Sequence, residues 1–123
     1  MHDIVSDKGG QAAGGVASTV SRAIERLGLT HEEVAGIVGA SAHSVARWTS
    51  GQVVPQRLNK QRLIELAYVA DAVAEVLPRD QANVWMFSPN RLLAHGKPAD
   101  LVRGGEYQRV LALIDAMAEG ILV

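Results

Sequence analysis

The stretch HEEVAGIVGASAHSVARWTSG, residues 31–51, decides the fold of this chain. Ala35 is small at the point where a second helix would cross, and Gly39 allows the positive φ angle of a tight turn. Val45 and Trp48 follow at the positions that fill the wedge between two such helices. The spacing of these four residues predicts a helix-turn-helix.

Helix signals continue on both sides of this motif. The predicted helices run from a cap at Ser18 or Thr19 to Leu27, from a cap at Thr30 to Gly39, from a cap at Ser41 to Ser50, from Leu58 to Leu77 and from Glu106 to Glu119. Apolar residues cover more than one face of the fourth helix, which is typical of a helix packed between two surroundings.

These patterns predict an all-α protein with two helical modules. Residues 17–77 form a helix-turn-helix bundle that includes the long helix, and residues 78–123 form a small C-terminal helical module. We expect the apolar residues of that module to dock on the long and last helices: Trp85, Met86, Phe87, Leu92, Leu93, Leu101 and Val102. The glycine-rich residues 1–16 are predicted to be a flexible leader.

Composition excludes several classes of function. The 123 residues contain no cysteine, which rules out disulfides and thiolate chemistry. The four histidines show no ligand spacing, and no nucleotide-binding or nucleophile motif occurs, so we predict no metal, no cofactor and no enzyme activity. Without a signal peptide or a membrane-spanning apolar run, we expect a cytoplasmic location and no membrane partner.

Charge is distributed unevenly although the formal net charge is only −1. No acidic residue lies between Glu33 and Glu65, a window that contains Arg47, Arg57, Lys60 and Arg62, which favours a local anionic partner. If the motif binds operator DNA in the major groove, its second helix presents Arg47 to guanine. The predicted DNA contacts are Ser41, His43, Ser44, Arg47, Gln52, Arg57 and Lys60. The alternative is that the helix-turn-helix serves only packing within the protein and that its basic residues form an ordinary solvated face.

The C-terminal module carries a family resemblance. The runs WMFSPNRLL (85–93) and GKP (96–98), followed by Gly104 and an amphipathic last helix, resemble the toxin-binding domain of Xre/MbcA/ParS-type antitoxins. The resemblance extends over residues 18–123, because this family also has an Xre-like helix-turn-helix upstream.

The resemblance implies a type II toxin–antitoxin pair. The toxin of this family has a RES domain and degrades NAD⁺. The antitoxin is expected to bind it directly, to block its active site and to regulate its own operon. A homodimer, or a higher assembly with the toxin, is implied as well. The toxin-binding residues that it suggests are Arg103, Tyr107, Arg109, Met117, Glu119, Ile121, Leu122 and Val123. An apolar tail of three residues also fits this role, unless it folds back onto its own core.

Two other functions remain open. The chain could be a stand-alone Xre-type transcriptional repressor whose C-terminal module only dimerises. It could also be a small helical adaptor without DNA binding.

Overall fold

The computed structural model describes residues 3–120, with side chains from residue 15 onward. Seven α-helices and one short 3-10 turn follow one another in this range, which confirms the all-α fold class. Their bounds are α1 Asp3–Leu27, α2 His31–Val38, α3 Ala42–Thr49, α4 Arg57–Ala74, α5 Arg79–Met86, the 3-10 turn Arg91–Leu93, α6 Pro98–Arg103 and α7 Tyr107–Ala118.

Helix α1 begins much earlier than the predicted cap at Ser18 or Thr19. The hydroxyl of Thr19 donates to the carbonyl oxygen of Gly15 at 2.9 Å, a bond made inside a helix and not at its N-terminus. Residues 3–16, which we predicted to be part of a flexible leader, belong to α1, so the predicted start of the first helix is wrong. Buried residues fix the helix from Val16 onward, and extending a formed helix toward its N-terminus requires no new nucleation.

Helices α2 and α3 have the caps that the sequence predicts. Thr30 and Glu33 form a capping box, in which each side chain accepts a hydrogen bond from the other residue's backbone N–H, at 3.0 and 2.9 Å. Gly39 ends α2 with φ 77°, and its N–H donates to Ala35 at 2.9 Å. Ser41 caps α3 through a bond from the backbone N–H of Ser44 at 3.1 Å. We call these two helices and their connection the α2–α3 unit.

Helix α4 is the centre of the molecule, since it packs against α1, α2, α5, α6 and α7. It ends at Ala74, before the predicted end at Leu77. The N–H groups of Glu75 and Val76 already bond to carbonyls three residues back, which tightens the chain into a turn. Pro78 contributes to this early end, because a residue that precedes proline avoids the helical region.

The C-terminal helices pack largely as predicted. Leu93 is buried as expected, but Leu92, which we expected to dock as well, is 48% exposed. The 3-10 turn explains the difference, because its consecutive side chains point in different directions. On α7 the buried residues are Val110, Leu113 and Ile114.

A single hydrophobic core runs through the described part of the chain, from Val16 in α1 to Ile114 in α7. Helix α2 also contacts α6, and α1 contacts α5, so both predicted modules share this core. The side-chain amide of Asn83 on α5 donates to the carbonyl oxygens of Leu27 and Gly28 at 3.0 Å each, which satisfies the C-terminal end of α1.

Candidate functional site

Two surfaces contain the residues that the sequence singled out. The α3 surface comprises Ser41, His43, Ser44, Arg47, Gln52, Arg57 and Lys60. The α7 surface comprises Arg103, Tyr107, Arg109, Met117 and Glu119. The predicted toxin-binding residues Ile121, Leu122 and Val123 lie outside the described residues.

The α3 surface has exposed basic residues. His43 and Arg47 lie one turn apart on α3, and Arg57 and Lys60 lie in the first turn of α4. All four are exposed, and within residues 15–120 their side chains form no hydrogen bond or ion pair. By contrast, Arg22 and Arg26 on α1 are both paired with Asp71 of α4, at 3.1 and 2.9 Å. The α3 surface therefore offers unpaired positive charge to a partner.

The serines of the α3 surface are occupied within the α2–α3 unit. Ser41 accepts from the backbone of Ser44, and its hydroxyl donates to the hydroxyl of Ser44 at 3.0 Å. Ser44 is also half-buried, whereas Gln52 is exposed just after α3. Trp48 is 4% exposed, as expected of a core residue.

The α7 surface combines arginines with partly buried apolar groups. Arg103 pairs with Asp100 at 3.1 Å and Arg109 with Glu106 at 3.0 Å, both within one turn of chain. These exposed pairs contribute little to folding, so the guanidinium groups can exchange partners at small cost. Tyr107 and Met117 are half-buried against the core, and Glu119 is exposed at the end of α7.

Tyr68 joins the α7 surface, although in the sequence it is only one of the apolar residues that cover more than one face of the fourth helix. It is 55% exposed, and its ring stacks on that of Tyr107 with centroids 6.4 Å apart. An exposed aromatic pair of this kind is a common feature of binding surfaces. Helical spacing alone could not have found it, because the partner ring comes from a distant helix.

Arg62 has a different environment from the other basic residues of its window. Its Nη1 donates to Oε1 of Glu65 at 3.0 Å, and its Nε donates to the backbone oxygen of Arg103 at 3.2 Å. Glu65 is 6% exposed, and its Oε2 accepts from Nε2 of Gln61 at 2.8 Å. Arg62 is therefore engaged inside the molecule and does not add to the α3 surface. No sequence pattern predicted this network.

An open apolar groove runs along α5, with a volume of about 540 Å³. Its lining residues are Leu77, Asp80, Gln81, Val84, Trp85 and Ser88. None of them was predicted to contact a partner.

Neither a metal-binding cluster nor a membrane-spanning helix occurs in the described part of the chain. Among its residues no three histidine or acidic side chains are grouped so that they could hold a metal ion. No helix within the same range combines the length and apolar character that crossing a membrane requires.

Comparison with known proteins gives concordant matches. Residues 69–120 match the family model of the antitoxin Xre/MbcA/ParS C-terminal toxin-binding domain, a range that begins inside α4. The chain is 86% identical over 108 residues to the mycobacterial cidal antitoxin MbcA of Mycobacterium tuberculosis and of Mycobacterium bovis, covering 88% of this chain and 96% of each relative. It also resembles a chain in the crystal structure of the M. tuberculosis MbcT–MbcA toxin–antitoxin complex, with 87% identity, a TM-score of 0.81 and coverage of 87% of this chain and 96% of that one.

Proposed function

The chain belongs to the Xre/MbcA/ParS family of antitoxins, and we propose that it neutralises a RES-domain, NAD⁺-degrading toxin by binding it directly and blocking its active site. The chain is the antitoxin of a toxin–antitoxin pair, and an antitoxin of this family acts by binding and not as an enzyme. The observation that carries the proposal is the likeness, over nearly the whole relative, to MbcA in a complex with its toxin MbcT.

The α7 surface is the proposed contact with the toxin, together with residues 121–123. Tyr68 and Tyr107 supply an aromatic pair, and Arg103 and Arg109 supply bidentate donors at its side. Aromatic and arginine residues carry a large share of binding energy in protein interfaces. The apolar sequence Ile-Leu-Val after Gly120 would add about 1.5–3 kcal/mol of gross transfer free energy for each side chain buried against the toxin.

A binding and inhibition experiment with MbcT tests this proposal. The purified chain should form a complex with MbcT and suppress its consumption of NAD⁺ in proportion to the complex formed, and co-expression should restore growth. A matched chain that ends at Gly120 should lose most of this inhibition while its far-ultraviolet circular dichroism stays that of the full chain. Complex formation with NAD⁺ consumption unchanged would contradict active-site blocking, and absence of any complex would contradict the proposal as a whole.

The α3 surface supports a second role, binding of operator DNA by the α2–α3 unit to regulate the operon. The supporting observation is a set of four exposed basic residues, His43, Arg47, Arg57 and Lys60, whose side chains have no hydrogen-bond or ion-pair partner within residues 15–120. Because α3 itself contributes only His43 and Arg47 to this set, we propose that two copies bind DNA together, as helix-turn-helix proteins do on paired half-sites, or that a higher assembly with the toxin does.

The stand-alone repressor is the alternative that variants can separate from this proposal. If repression is the whole function, Arg47→Ala abolishes it and removal of residues 121–123 has no consequence. If toxin neutralisation is the main function, Arg47→Ala leaves inhibition of MbcT intact. Reporter expression and NAD⁺ consumption, measured on the same two variants, distinguish the two.

A further inference from the structure

Helix α4 holds the turn between α6 and α7 through one side chain. Arg62 donates from Nε to the backbone oxygen of Arg103, the last residue of α6, at 3.2 Å. Its Nη2 lies over Gly105, where an added Cβ would come within 3.0 Å of that nitrogen. The turn thus passes directly beneath the guanidinium group, which satisfies a carbonyl that α6 leaves unpaired at its end.

The guanidinium group is itself fixed by a buried carboxylate. Glu65 accepts from Arg62 at 3.0 Å and from Gln61 at 2.8 Å, so both carboxylate oxygens have a donor. The side chain of Arg62 is 23% exposed and that of Glu65 only 8%. A pair that is largely removed from water, and in which both carboxylate oxygens have donors, holds its geometry better than an exposed pair, because either partner loses its hydrogen bonds if it moves.

Two residues of the α7 surface flank this turn. Arg103 lies immediately before it and Tyr107 immediately after it, and Tyr107 also stacks on Tyr68. Arg62, Glu65 and Tyr68 follow at intervals of three residues on α4, so neighbouring turns of one helix face hold both ends of the segment 103–107.

We infer that Arg62, fixed by Glu65, is a positioning residue for the toxin contact: it sets where Arg103 and Tyr107 lie without touching the toxin itself. This inference rests on the proposed function of the α7 surface. It also gives a role to a basic residue of the acid-free window that was not among the predicted DNA contacts.

Asn59 provides a matched control on the same helix. Its side-chain amide donates to the backbone oxygen of Val38 at 2.9 Å, so it holds the end of α2 in the way that Arg62 holds the end of α6. Losing either side chain removes hydrogen bonds between α4 and a turn, but only Arg62 contacts the segment between α6 and α7.

The test compares two variants of the full chain: the double variant Arg62→Met/Glu65→Met and the control Asn59→Ala. The double change replaces the buried pair by apolar groups of similar length, which generally preserves folding. We expect the Kd for MbcT to rise at least about tenfold in the double variant, a factor that corresponds to about 1.4 kcal/mol. The melting temperature of the double variant should not fall below that of Asn59→Ala. The Kd of Asn59→Ala for MbcT should stay within about twofold of the wild-type value. Amide hydrogen exchange in residues 103–107 should accelerate only in the double variant.

Arg62→Lys provides a second test, in which the positive charge beside Glu65 is kept. Lysine keeps the charge beside Glu65 but lacks the planar fork that reaches two acceptors, so we expect an intermediate Kd. An unchanged Kd in both Arg62 variants would overturn the inference while leaving toxin binding intact. An equal loss of affinity in Asn59→Ala would also overturn it, since that pattern reflects general destabilisation. Failure of the wild-type chain to bind MbcT would remove the proposed function, and this inference with it.

Discussion

The ring of Tyr68 on α4 stacks on the ring of Tyr107 at the start of α7, with the ring planes inclined by 22°. Tyr68 is more exposed than buried, so the pair contributes to folding and also presents an aromatic face to solvent. A stacked aromatic pair contributes about 0.5–1.5 kcal/mol beyond the area it buries.

Replacing Tyr68 by alanine should weaken toxin binding. We expect the Kd for MbcT to rise by about tenfold or more, as for an aromatic interface residue that costs over 1 kcal/mol when truncated. Titration calorimetry measures the change. Tyr68→Phe keeps the stacked ring and should bind within a few-fold of wild type, and Leu58→Ala, an exposed apolar residue at the other end of α4, should have no effect. A loss of affinity in Leu58→Ala as large as in Tyr68→Ala would contradict the assignment.

Two glycines of the α2–α3 unit should respond to alanine with opposite sign. Gly39 has φ 77°, and an added Cβ meets no atom within 4 Å, so Gly39→Ala costs only backbone strain, about 1–2 kcal/mol. Gly36 lies inside α2 with open space around it, so Gly36→Ala should stabilise the fold by up to about 1 kcal/mol. Urea denaturation gives both free energies of unfolding, and a shift of the same sign in both variants would disprove the account.

The salt dependence of DNA binding should identify a phosphate contact at Lys60. The DNA is a duplex from the promoter region of the gene that encodes this chain. Lys60→Gln should reduce the magnitude of the slope of log K, the association constant for this DNA, against log salt concentration by about 0.9, because one fewer counterion is released. Lys97→Gln removes an equally exposed lysine at the start of α6, outside the α3 surface, and should leave the slope unchanged. Parallel lines for wild type and Lys60→Gln would exclude that contact.

The two predicted modules should unfold together. Trp48 lies in α3 and Trp85 in α5, and one hydrophobic core connects their surroundings. In Trp85→Phe the fluorescence reports only Trp48, and its urea midpoint should coincide with the midpoint from circular dichroism at 222 nm, a wavelength that reports every helix. Two separated transitions would show instead that the modules are independent units.

Local signals predicted most of the fold. The α2–α3 unit was found because its caps and its turn glycine depend only on neighbouring residues. The first helix was misjudged because its glycines suggested a leader, whereas the end of α4 was placed too late because apolar residues continue past Ala74. Both errors concern the ends of helices, whose positions local sequence signals predict poorly.

The candidate surfaces were less accessible to sequence reasoning. The basic residues from His43 to Lys60 are exposed, as DNA contacts must be. Their role in DNA binding stays a prediction. No site role was predicted for Arg62 or Tyr68, because their partners, Arg103 and Tyr107, are far away in sequence. No periodicity within α4 distinguishes an arginine that faces solvent from one that binds a carbonyl of another helix.

The buried pair of Arg62 and Glu65 constrains how these sequences can diverge. Replacing one partner leaves the other without its charged partner in a largely buried site, so a single substitution at either position should destabilise the fold more than a joint exchange to two apolar residues. Positions 62 and 65 should therefore change in concert among homologues, and a lineage that has lost both charges must anchor the segment after α6 by some other means.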